Sequence, residues 1–202
     1  MSETYIEESR LATAEVSLGS LLSPGAWRPA LPPEVNPRQI GDELWSNAFD
    51  KDQLDDRPLY WQRLILSQYL RELGAESSDL LEFELASRGM LGNQFSGGAT
   101  YRVLVTGFDP FHLDDHIEQG NPSGVVALQH QHKQIALGAG RAEIRSMIFP
   151  VRYKDFDEFL VERVLEAFTD KVDMVITVSM GRTGFDLERF PGRRRSVSTP
   201  DN

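Results

Sequence analysis

Cysteine is absent from the 202 residues. That excludes disulfides and thiol nucleophiles, and it leaves the redox compartment unmarked. No stretch approaches the roughly 18 consecutive apolar residues that a membrane-spanning helix needs. Positive charge is in deficit, with 21 Lys and Arg against 31 Asp and Glu and a net charge of -10. A general nucleic-acid binder would carry a basic footprint instead. The opening residues, MSETYIEESR, lack the positive n-region and apolar core of a secretory signal. The expectation is a cytoplasmic protein without membrane or nucleic-acid partners. Histidine is scarce too: there are four, and none follows His132.

What is present is ordinary for a soluble globular chain, with 40% hydrophobic and 26% charged residues. Two textures divide it into a helical extension over 1–98 and an α/β region over 99–202. The first 35 residues show little periodicity and end in SPGAWRPALPPEV, which reads as a loose arm. Asn36-Pro37 should start a helix presenting Ile40, Leu44 and Ala48 on one face. A second helix should begin near Asp56 and Pro58 and bury Leu59, Leu66, Leu70 and Leu73, with Gly74 just past its end. Asp79 and Glu82 suggest a capping box for a third helix, stopped by Gly89. Phe95-Ser96-Gly97-Gly98 reads as a linker.

Beyond it the pattern becomes strand, helix, strand, helix, strand. Arg102–Thr106 is a buried parallel strand ended by Gly107. Asn121-Pro122 opens a helix reaching about Gln134. Gly138 and Gly140 mark the return to a strand over Glu143–Phe149. Asp155 and Glu158 suggest a capping box for a helix striped by Phe156, Phe159, Leu160, Val164 and Phe168. Val172–Met180 forms the third strand. The fold class is α/β, with a partial three-layer α/β/α domain and a largely parallel sheet. A three-strand sheet has an unfinished edge, so a second chain or self-association could complete it. Ligands of open α/β sheets bind at the carboxyl ends of strands, which places Phe108 and Phe111 where a pocket is expected.

Four short motifs occur in order: Gly107-Phe108-Asp109-Pro110-Phe111, Asn121-Pro122-Ser123, Leu187-Glu188-Arg189 and Pro200-Asp201-Asn202. In that order they resemble the type I pyroglutamyl peptidases, cysteine peptidases that release N-terminal pyroglutamate, over roughly Arg102 to Asn202. The resemblance implies a catalytic role for Glu188 and a substrate-binding role for Phe108 and Phe111, with an N-terminal pyroglutamyl peptide as substrate and no cofactor or metal. The family's nucleophilic cysteine and histidine base have no counterpart here. His112 and Ser198 also stand where the family has glycine and arginine. The expectation is therefore a pyroglutamyl peptidase-like protein that is inactive alone. The alternatives are a non-catalytic binding or interaction protein and a truncated gene product.

Other polar groupings point to less. His112 and His116, four apart around Asp114 and Asp115, read as solvated loop residues rather than a metal face. Arg193-Arg194-Arg195 reads as a solvated charge run. Gly181-Arg182-Thr183-Gly184 lacks the lysine and spacing of a phosphate-binding loop.

Overall fold

The computed structural model describes residues 7–18, 36–48, 55–181 and 183–190. The Pro-rich stretch, Arg193–Arg195, Ser198 and the Pro200-Asp201-Asn202 motif lie outside the described residues. Helices α1 (Leu11–Leu18), α2 (Pro37–Asn47), α3 (Arg57–Glu72) and α4 (Ser77–Ala86) precede the first strand. Then follow β1 (Tyr101–Phe108), α5 (Pro122–His130), β2 (Gln134–Leu137) and β3 (Gly140–Phe149). Two short helices, α6 (Tyr153–Asp157) and α7 (Leu160–Glu166), lead to β4 (Met174–Thr177). The fold is mixed α/β.

Helix starts follow local chemistry. The Asn36 side chain accepts a hydrogen bond from the Gln39 N–H, and Asn121 does the same for Ser123, each with proline next in sequence. Both arrangements satisfy a backbone donor that a helix N-terminus leaves unpaired. Gly74 ends α3 at φ 86°, a left-handed conformation that costs glycine no side-chain clash.

The four strands run in the order β2-β3-β1-β4. β1 pairs parallel with β3, from Tyr101 opposite Ala142 to Phe108 opposite Phe149. It also pairs parallel with β4, where Val103 faces Met174 and Thr106 faces Thr177. β2 pairs antiparallel with β3. Gly138-Ala139 is thus the two-residue turn of a hairpin, and β2 is a strand the sequence reading lacks.

Both sheet faces carry helices. On one, Ile148 packs with Ala127 and Leu128 of α5 and with Leu44, Trp45, Leu59, Leu66, Leu70 and Phe83 of the preceding helices. On the other, Leu104, Met147 and Phe149 meet Met90 and Phe168, with Val161, Val164 and Leu165 alongside. Alternation along β3 explains the split, because Met147 and Phe149 point opposite to Ile148. Fully burying a side chain such as Phe83 contributes about 1.5–3 kcal/mol.

Several local expectations change. Leu73, expected in the buried row of α3, is exposed because it lies past the last turn that packs. The supposedly loose arm contains α1, whose Leu11, Ala14 and Leu18 are buried against Tyr60, Trp61, Leu64 and Leu113. The capping box of α4 joins Glu76 and Asp79 rather than Asp79 and Glu82. The single helix expected after Asp155 is broken by Phe159, which holds a left-handed φ of 60°.

Candidate functional site: a closed ion cluster at the strand ends

The carboxyl ends of β1 and β3 meet the N-terminal helices in a cluster of buried charges. Asp109 directly follows β1, and its N–H donates to the Phe149 carbonyl at 3.0 Å. Arg63 of α3 donates to both Asp109 carboxylate oxygens at 3.1 and 3.0 Å. Arg88, just beyond α4, reaches Asp109 at 2.5 Å and Glu84 at 2.9 and 2.8 Å. Arg152, three residues past β3, donates to Glu84 at 2.8 Å and to Asp155 at 2.6 Å. It also reaches Glu7 at 3.3 Å. Side chains from five separate stretches therefore close on one point.

Burial alone would oppose ionising Glu84, but the Arg88, Arg152 and Arg63 guanidinium groups outweigh it and hold its carboxyl far below the usual range. Arg88 is held charged despite burial by Asp109 and Glu84. For Glu7 the balance tips the other way: burial pushes its carboxyl up to about 7, with Arg152 only partly compensating. Asp56 behaves similarly. Burial raises it to about 7 even though it accepts the Asn121 N–H at 3.1 and 3.0 Å. Hydrogen-bonded partners offset desolvation to different degrees in these groups, and removing one exposes more of the cost.

The motif residues around the cluster are occupied by packing. A Cβ on Gly107 would lie 2.2 Å from the Ser123 carbonyl oxygen, so only glycine fits between strand and helix. Ser123 Oγ accepts the Phe108 N–H at 3.0 Å, and the Asn121 side-chain amide donates to the Asp109 carbonyl at 2.9 Å. These contacts hold the start of α5 against the end of β1.

Phe108 and Phe111 have different ring neighbours. Phe108 is half-buried, with ring centroids 6.3 Å from Phe149 and 6.4 Å from Phe156. Phe111 lies against His112 at 4.7 Å instead. Glu188 is exposed in the stretch after β4, and among the described residues no hydrogen bond or ion pair engages it. His112 adopts φ 62° and its carbonyl accepts the His116 N–H at 2.9 Å, in a turn rather than a helix. Among the described residues no group of three or more acidic or histidine side chains is placed to hold a metal. Clefts do exist, one of about 470 Å³ bordered by Met90, Phe95, Arg102, Phe168 and Lys171. It is lined by none of the cluster's residues.

Comparison with known proteins gives one family match, described as "PA0049, C-terminal domain", over residues 102–202. The chain belongs to this PA0049 C-terminal domain family. A curated relative, the uncharacterized protein PA0049 of Pseudomonas aeruginosa, is 32% identical over 191 residues, covering 76% of this chain and 34% of that protein. The chain therefore spans about a third of the length of that relative. No solved structure matches it. The resemblance to type I pyroglutamyl peptidases is overturned, because the half of the chain that carried it belongs to the PA0049 family instead. The physical reason lies in the motifs themselves. Gly107, Asn121 and Ser123 join a parallel strand to its crossover helix, a task that α/β proteins share without sharing chemistry.

The sequence reading missed the cluster, although one signal was legible. Arg63 interrupts the row Leu59, Leu66, Leu70 at helical spacing, so a buried helix face carries a cation that must find an acidic partner.

Proposed function

We propose that this chain is a non-catalytic interaction module of the PA0049 family, whose sheet is extended at β4 by a further strand-bearing polypeptide segment. One observation carries the reading. β4 is exposed along its whole length, with Met174, Val175 and Ile176 at 56%, 42% and 42%, although it lies in the parallel part of the sheet. Strands of such sheets are ordinarily covered on both faces. Phe185, Leu187 and Phe190 are also exposed and lie close by in sequence. β1 pairs parallel with both neighbours, so the incoming strand would run parallel as well and bring a helix to cover an apolar face. Additional polypeptide of a longer family chain is the occupant we favour, since the curated relative is about three times longer than the part matched.

Amide hydrogen exchange tests the reading in the full-length Pseudomonas aeruginosa relative. The segment aligned with 174–177 should exchange far more slowly there than in the present chain studied alone. Equal, rapid exchange in both would overturn the reading. A concentration-dependent dimer of the present chain that protects the same segment would replace the favoured occupant with a second copy.

A further inference from the structure

We propose that the Glu7 side chain occupies a carboxylate-binding site, formed by Arg152 and Tyr60 at the carboxyl ends of β1 and β3, and that residues 7–18 strap that site shut. Position is the first argument, since ligands of open α/β sheets bind outside the carboxyl ends of the strands. Asp109 lies one residue past β1 and Arg152 three residues past β3. The second is the unequal quality of the contacts. Bonds among Arg63, Arg88, Arg152, Glu84, Asp109 and Asp155 lie between 2.5 and 3.1 Å. Glu7 instead reaches Arg152 at 3.3 Å and the Tyr60 hydroxyl at 3.4 Å. Charge-assisted bonds ordinarily settle near 2.7–2.9 Å. The carboxylate that comes from the strap is thus the loosest ligand of an otherwise tight set.

The strap is held by apolar packing and by ion pairs. Leu11, Ala14 and Leu18 pack on α3 and Leu113, and two ion pairs, Arg10–Asp114 and Glu8–Arg71, pin its flanks. Asp114 is itself largely exposed, so the pair at that end is open to water and screening. One donor of the adjoining cluster is also spare. Arg63 Nη2 is buried and has no hydrogen-bond partner among the described residues. A free monocarboxylate, not tethered to a backbone, would approach Arg152 and Tyr60 at closer range than Glu7 does. Burial leaves the Glu7 carboxylate under-stabilised, in keeping with a replaceable occupant.

Chemical rescue tests this in the full chain. In Glu7→Ala, sodium formate or acetate at pH 8 should bind saturably and raise the melting temperature by about 3 °C or more over chloride at equal ionic strength. The wild type should show no such difference. Adding Arg152→Met should abolish the rescue. Should Glu7→Ala fail to fold, Glu7→Gln keeps the shape and removes the charge. Acetate should then accelerate amide exchange over residues 7–18 at least threefold relative to chloride. Formate and acetate acting no differently from chloride in the folded variant would overturn the proposal, as would rescue that survives loss of Arg152.

Discussion

β3 and β4 flank the same central strand, both parallel to it, yet their surroundings are opposites. The last eight residues of β3 are buried, between α5 with the N-terminal helices on one face and the Phe168 cluster on the other. All four residues of β4 are exposed. The contrast teaches that pairing and coverage are separate events. Backbone hydrogen bonds to β1 align β4, whereas burial depends on which helices pack over a strand. On the β3 side the ion cluster reinforces coverage by tying α3, α4 and the strap to the strand ends. Nothing comparable is present near β4 among the described residues.

The largest test breaks the closed side. Arg88→Ala should destabilise by about 3–5 kcal/mol in urea unfolding, because it removes one of the two buried cations on each of Asp109 and Glu84. A loss below about 1 kcal/mol would mean that water reaches the cluster.

A pH titration probes the same side more gently. Glu7 titrates near 4.5 when unfolded and about 7 when folded. Below 4.5 it is protonated in both states. Between those values the folded state keeps a proton that the unfolded state releases, so stability falls as pH rises and levels off above about 7. The full loss is on the order of 3 kcal/mol. Asp56 acts in the same sense from 3.8 upward. Glu7→Gln should remove the Glu7 share, so its stability should fall less than that of the wild type between pH 5 and pH 8. Glu84, held low, works oppositely: its stabilisation is present above pH 4.5 and is lost on further acidification.

Asn121→Ala should cost about 1–2 kcal/mol, losing the cap of α5 and the bond to the Asp109 carbonyl. Thermal melts would measure it. The smallest effect belongs to the open side. Val175→Lys with Ile176→Lys should change the stability of the isolated chain by no more than about 0.5 kcal/mol. The same pair should sharply weaken any association that covers β4. A large loss in the isolated monomer would show that β4 is already packed and would erase the contrast.

Much of the fold is legible in local sequence. Asn36-Pro37 and Asn121-Pro122 start helices because a side-chain oxygen and a fixed φ satisfy needs that arise within four residues. Gly74 ends one because its backbone conformation is nearly free of steric cost. The apolar run from Val103 to Val105 marks a covered strand for similar reasons. The candidate site was less legible. Arg63 announces only that some acid must neutralise it, and the partner, Asp109, lies 46 residues away and is brought there by packing of α3 on the sheet. The strap shows the same limit, since Glu7 meets Arg152 across 145 residues and its sequence has too little periodicity to announce a helix. The run Val172 to Met180 looks as apolar as β1, yet only the fold decides that it stays exposed. Hydrogen-bond and steric preferences act between neighbours and are written residue by residue. Charge neutralisation and coverage act between distant elements, so they are decided only when those elements pack.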